Sequence, residues 1–332
     1  KFGLNYTSDV YDEILNRRNV GRKDNSFGGF FEYSFDNFNN LNFVAGLRYD
    51  THNNMGSFFT PRFHLRYSTL DRFTVKASYG QGRKTANIYA ENQQMFFSNR
   101  SVEIIESETG NLTYGLNPEK ATNYGLSMDK GFNLFGGQGN FIIDYFKTDF
   151  DDKVIIDFEY PGIVQIYNSR DKKSYYQSFQ AEIIYSINRF NMTTAYKNYD
   201  VQISYNDGIK SKPLQPSEIL FLNIGYESQN NDGKLWKYDF TLNRVGKQRL
   251  MRNPRDISSY TNSHTFINAQ VTKVFSEKFE LYAGGENLLN YKQENPIIFS
   301  EDPSNSLFDA SIIHGPIFGA SFYAGFRFKI LN

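Results

Sequence analysis

Along most of this chain the side chains alternate in character at a period of two, a pattern that suits a β-sheet with two unlike faces and few other folds. Between Leu235 and Asn243, the residues Trp236, Tyr238, Phe240 and Leu242 alternate with Lys237, Asp239, Thr241 and Asn243. Phe63, Leu65 and Tyr67 alternate with Arg62, His64 and Arg66, while Phe73, Val75, Ala77 and Tyr79 alternate with Arg72, Thr74, Lys76 and Ser78. Near the carboxy-terminal end, Phe322, Ala324, Phe326, Phe328 and Ile330 alternate with Ser321, Tyr323, Gly325, Arg327 and Lys329. One face is aromatic and aliphatic, and the other is polar.

Composition decides which medium each face meets. Aromatic residues make up 17% of the chain, yet the mean hydropathy is −0.56. A soluble domain with 32 Phe and 24 Tyr would carry more Leu, Ile and Val in a dry core. An antiparallel transmembrane β-barrel resolves the conflict, because each strand faces lipid on one side and a polar lumen on the other. No run of about 18 apolar residues exists, which excludes a transmembrane helix but not membrane strands. Lys+Arg and Asp+Glu both number 36, so the totals give no support to a nucleic-acid partner. Cys is absent, which removes disulfides, thiolate metal sites and a cysteine nucleophile. The sequence opens on Lys1 without a charged-then-apolar leader, so any signal peptide is expected to have been removed or to lie outside it.

The alternation places about fourteen strands within one architectural unit spanning 1–332. The first seven are expected at 1–11, 26–35, 41–50, 58–68, 72–81, 119–132 and 138–158. The others are expected at 163–188, 190–204, 217–229, 233–246, 263–275, 278–288 and 318–331. Short connections (36–40, 69–71, 133–137, 188–189, 230–232, 276–277) alternate with long ones (12–25, 82–118, 205–216, 246–262, 289–319), as short periplasmic turns alternate with long extracellular loops in such barrels. Strands 138–158 and 163–188 are expected to project as a tall hairpin closed at Tyr160, Pro161 and Gly162. A propeller or β-helix would need internal repeats, and none is visible.

Several segments carry a family pattern. Gly46-Leu47-Arg48-Tyr49-Asp50, Thr60-Pro61-Arg62 and Ala77-Ser78-Tyr79-Gly80-Gln81-Gly82-Arg83 come first, followed by Leu116-Asn117-Pro118-Glu119 with Asn123-Tyr124-Gly125. Tyr167-Asn168 with Gln180-Ala181-Glu182 follow, although Ser178 stands where Gly is customary. The most specific block is Tyr282-Ala283-Gly284-Gly285-Glu286-Asn287-Leu288-Leu289-Asn290-Tyr291, with Gly315-Pro316, Gly319 and the final aromatic strand. Together they resemble the carboxy-terminal barrel portion of the TonB-dependent outer-membrane receptors. The resemblance implies a barrel of about 22 strands, with the first strands, an amino-terminal plug and a TonB-contacting box outside this chain. The final strand also resembles the assembly signal of such barrels, although here it runs on through Lys329-Ile330-Leu331-Asn332.

No catalytic, cofactor or metal site is expected. His52, His64, His264 and His314 lack metal-ligand spacing. Asp149, Asp151 and Asp152, or Glu301 and Asp302, follow no calcium-loop pattern and read as solvated loop charge. Arg48, Arg62, Arg66, Arg72, Lys76 and Arg83 read as an inward basic bias. That bias serves either anionic ligands and acidic plug residues or simply a lumen that must be polar. In the longest loop Tyr89, Phe96, Phe97 and Arg100 are ligand-contact candidates with Arg83, or else they hold the loop against the rim.

The resemblance implies TonB-dependent active import across the outer membrane of a Gram-negative bacterium, with no covalent chemistry. The cargo is a siderophore, cobalamin, metal chelate, glycan or peptide. Its expected partners are the TonB energising complex, outer-membrane lipids, and a surface lipoprotein lid or other outer-membrane subunits. The alternative is a non-transporting barrel subunit that docks partners in a larger outer-membrane complex.

Overall fold

The alternating segments pair edge to edge into one antiparallel wall. The computed structural model describes residues 1–15, 18–19, 21–105, 113–169, 173–229, 232–252 and 259–330. Parts of the expected connections 12–25, 82–118, 230–232 and 246–262, and the end of the last expected strand, lie outside the described residues. In chain order the first seven wall strands are β1 (Phe2–Tyr11), β2 (Arg22–Asp36), β3 (Leu41–His52), β4 (Gly56–Ser68), β5 (Phe73–Lys84), β6 (Glu119–Leu134) and β7 (Gly137–Asp152). They continue as β8 (Tyr175–Ile187), β9 (Phe190–Tyr205), β10 (Glu218–Glu227), β11 (Leu235–Val245), β12 (His264–Ser276), β13 (Phe279–Glu286) and β14 (Ser321–Phe328). Each pairs with its neighbours in sequence, and β1 and β14 stand at the two ends of the strand order. A short strand, Gly208–Ser211, adds to β9.

Register turns the sequence alternation into continuous rows. One row across the wall reads Phe35, Phe43, Leu65, Ala77, Leu126, Tyr145 and Phe179. The row beside it, on the opposite face, reads Asp36, Asn42, Arg66, Lys76, Ser127, Asp144, Gln180 and Lys197. Neighbouring rings on the apolar face pack together: Phe35 on Phe43 at 5.3 Å and Phe190 on Tyr226 at 4.5 Å between centroids, the cross-strand contacts that stabilise a sheet. Other rings on this face stay open to the surroundings, Phe59 by 58% and Phe31 by 60%. An apolar surface this extensive requires an apolar medium.

At one end the strands are joined by tight turns. β6 and β7 are joined by Phe135 and Gly136 at φ 47° and 80°, the left-handed pair that matches hairpin twist. At the other end, the described parts of connections 85–118, 153–174, 206–217, 246–263 and 287–320 gather into a cap, although the β3–β4 connection there is only the short turn 53–55. The cap has its own sheet, with Ile163–Asn168 between Val154–Asp157 and Ser101–Ile104 and the last of these running parallel to it. Beneath it Ile88, Met95, Leu116, Val164, Ile166 and Ile298 form a buried core.

Here the structure corrects the expected tall strands 138–158 and 163–188. β7 shifts register between Phe150 and Asp152 and leaves the wall, and Val154–Asp157 then pairs with Ile163–Asn168 inside the cap. The turn at Tyr160–Gly162 is present, with Ile163 N donating to Tyr160 O at 3.3 Å. Residues 170–172 of the second expected strand lie outside the described residues, and β8 starts at Tyr175. The β-branched run Val154-Ile155-Ile156 reports an extended chain, not the sheet to which that chain belongs.

Candidate functional site

The polar face of the wall and the underside of the cap are where a solute would meet this protein. Across β3–β5, Arg48 stands opposite Thr60, Arg62 opposite Gly80 and Arg66 opposite Lys76, so four of the basic residues singled out in the sequence share one face. Arg48 binds Asp50 at 2.5 Å and Asn5 at 2.6 Å. This pair lies across Gly28, where an added Cβ would run into the Asp50 carboxylate and Arg48 Nη2 as they stand. Arg62 pairs with Glu32. Arg72, at φ 56° ahead of β5, reaches over Gly131 towards Asn133 at 3.3 Å and the Gly139 carbonyl at 3.4 Å.

Arg66 and Lys76 differ from these, with no side-chain hydrogen bond or ion pair among the described residues. Directly opposed like charges destabilise a strand pair unless an anion or solvent offsets them. They line an open cavity of about 440 Å³ with His64, Ser78, Ser127 and Asp144.

Arg83 sits differently again. By alternation it falls in the row of Val75 and Tyr79, but β4 and β5 cease pairing at Arg62 and Gly80. Beyond that point its guanidinium bends to lie 4.8 Å from the ring of Phe58, at a cavity of about 670 Å³ shared with Arg48, His52 and Gln81.

The four loop candidates separate. Phe96 and Phe97 are exposed, and Tyr89 packs against Phe96 at 6.1 Å and Tyr114 at 5.7 Å. Arg100 is buried in the cap and pairs with Asp309 at 2.7 Å. Of the acidic groups weighed as cation ligands, Asp149 pairs with Lys147 at 2.9 Å and Asp152 with Lys120 at 3.2 Å, and Asp302 accepts hydrogen bonds from Ser304 N at 3.1 Å and Ser304 Oγ at 2.6 Å.

Sequence reading missed a cation–aromatic stack at the mouth. Lys153 Nζ lies 4.1 Å from the Phe150 ring, 4.9 Å from Tyr176 and 3.5 Å from Glu119, and Lys212 Nζ lies 5.6 Å from Tyr176. Cavities of about 290 and 220 Å³ flank Lys153. The pairing of Thr148 with Tyr176 that brings these rings together has no local signature.

Nearby, Tyr167 donates to Asp157 Oδ2 at 2.8 Å and Arg249 binds Glu159 at 2.8 Å. Burial pushes the Asp157 carboxyl above the usual carboxylate range, against the hydrogen bonds from Glu159 N and Tyr167. The whole arrangement can bind, select and guide a solute by charge, aromatic contact and hydrogen bonding.

The sequence profile of the family described as TonB dependent receptor-like, beta-barrel matches residues 1–288. The chain belongs to that family. TonB-dependent receptors are Gram-negative outer-membrane proteins that bind ligands and interact with TonB, and the family and its structural neighbours are transporters and receptors. No curated protein matches the chain.

Among solved structures, a mutant ferric enterobactin receptor from Pseudomonas aeruginosa in complex with enterobactin superposes with a TM-score of 0.68 at 15% identity, over 98% of this chain and 51% of that one. The siderophore receptor PirA from Acinetobacter baumannii gives 0.66 at 16% identity, over 98% and 51%. The FpvAI–pyocin complex gives 0.62 at 15% identity, over 94% and 38%. At these identities the likeness is one of fold. The TonB-dependent receptor barrel described here spans about half the length of the structures it matches.

Proposed function

We propose that the protein containing this barrel imports a nutrient across the outer membrane, driven through TonB. The observation that carries the reading is the two-faced wall, aromatic on one face and polar on the other, together with family membership over residues 1–288. About eight further strands would complete a barrel of about 22. A lumen that wide needs a plug to prevent leakage, and the plug and TonB box would lie in the remainder of the protein. The aromatic face would meet outer-membrane lipid.

A siderophore is the favoured cargo, because structural neighbours include a ferric enterobactin receptor and a siderophore receptor; cobalamin, another metal chelate, a glycan or a peptide is the alternative cargo. Phe96, Phe97, Tyr89 and Arg83 would meet the ligand at the mouth, with Arg100 holding their loop in place. Arg48, Arg62, Arg66, Arg72 and Lys76 would give the lumen wall an anion-attracting side.

Uptake of radioactive iron as its ferric siderophore, in cells with and without the full-length gene and with and without TonB, tests the reading. Uptake lost in both deletions supports it. Growth and uptake unchanged across siderophores, cobalamin, glycans and peptides would instead support a docking subunit, whose partners would be a surface lipoprotein or other outer-membrane proteins.

A further inference from the structure

One guanidinium joins three segments that are far apart in the chain. Arg100 Nε and Nη2 bind Asp309 Oδ2 at 2.8 and 2.7 Å, while Nη1 donates to the carbonyls of Phe158 at 3.0 Å and Tyr160 at 2.8 Å. The side chains of the pair are 3% and 2% exposed. The second Asp309 oxygen accepts Ser311 N at 2.8 Å and Ser311 Oγ at 2.6 Å, so the carboxylate is fully engaged.

The backbone repeats the same linkage. Asn99 N donates to Phe308 O at 3.0 Å and Ala310 N to Phe97 O at 2.8 Å, while Ile298 and Asp309 exchange bonds of 2.9 and 3.1 Å. Ser101–Ile104 runs parallel to the strand Ile163–Asn168. Ile88 and Met95 from the first segment, Val164 and Ile166 from the second, and Ile298 and Ile312 from the third share one core. None of these segments buries its apolar residues alone.

We propose that residues 85–105, 113–118, 153–169 and 287–320 form a preformed cap that opens as a single cooperative unit, with Arg100 and Asp309 as its latch. Removing one member of a buried, hydrogen-bonded pair leaves the other charge without compensation in a low-dielectric site, and the loss spreads to every segment that the pair joins. Contiguous groups with a shared core open together, as one unit of exchange. Ligand contacts at the mouth are therefore displayed on a scaffold that exists before ligand arrives, and the first segment does not part from the third unless the cap itself unfolds.

Hydrogen exchange followed by mass spectrometry on the full-length protein in detergent micelles tests this. In the unaltered protein at high pH, where closing is slower than exchange, peptides from 86–104, 154–168 and 293–312 are expected to exchange in one correlated step. Asp309→Ala is expected to raise their exchange together, by roughly tenfold or more, and to leave β6 and β12 unchanged. Separate opening rates in the unaltered protein, or acceleration confined to 293–312 in Asp309→Ala, would overturn the proposal. The first readout needs no variant, so it stands even if Asp309→Ala fails to insert.

Discussion

Wall and cap are both β-structure from one chain, but they use apolar residues in opposite ways. In the cap Val164 and Ile166 are wholly buried in a shared apolar core, as in a soluble domain. In the wall Phe59, Leu126 and Trp236 stay on the surface, and the opposite face carries Arg66, Lys76, Ser127 and Asp144. The contrast separates two sources of stability. The cap is held by exclusion of water from a packed interior. The wall is held by continuous strand pairing and by a medium that accepts its aromatic face.

Substitutions that exchange the two environments should break the comparison most visibly. Ile166→Ala removes a fully buried side chain and should cost about 2–5 kcal/mol. Urea unfolding followed by probes in the cap and in the wall should show the cap melting first. Leu126→Arg on the apolar row should cost about 2–4 kcal/mol for insertion near the bilayer midplane. The adjacent Ser127→Arg on the polar row should insert nearly normally, as refolding into vesicles would show. Equal costs for the two would contradict the assignment of faces.

A smaller effect is expected from Phe97→Ala. Its exposed ring should contribute to ligand affinity without changing folding, which binding of the ferric siderophore to purified protein would measure.

The smallest effect concerns pH. Burial lowers the pKa of His314 below its ordinary value, against a hydrogen bond to the Ile312 carbonyl. The unfolded segment then binds more protons than the folded one. The His314 contribution is fully present above about pH 6.5 and is lost as pH falls through the depressed folded value. Protection factors of amides throughout the cap, corrected for the slower intrinsic exchange at lower pH, should therefore fall on mild acidification, and His314→Gln should flatten that dependence.

How much of this was legible in the sequence follows the same division. The wall could be read because each residue's face is fixed by its own parity: Lys76 and Val75 take opposite sides whatever their partners are. Register was legible only through turn chemistry such as Phe135-Gly136. The cap could not be read that way, since Arg100 meets Asp309 from 209 positions away and Ser101 pairs with Ile163 in a different sheet. Arg83 shows the limit of parity at a strand end, where lost pairing with β4 lets its guanidinium turn towards Phe58. The basic row was legible by residue type, but which cations are paired was not: Arg48 has Asp50 and Arg62 has Glu32, whereas Arg66 faces Lys76.

The central claim is that alternate residues of each wall strand face lipid and lumen. Single-cysteine spin labels placed one at a time from Trp236 to Asn243 of the full-length protein in liposomes test it most directly. Labels at Trp236, Tyr238, Phe240 and Leu242 should relax faster with oxygen, which partitions into lipid. Labels at Lys237, Asp239, Thr241 and Asn243 should respond to a water-soluble nickel chelate. A profile without that period of two, or with the two rows exchanged, would contradict the account.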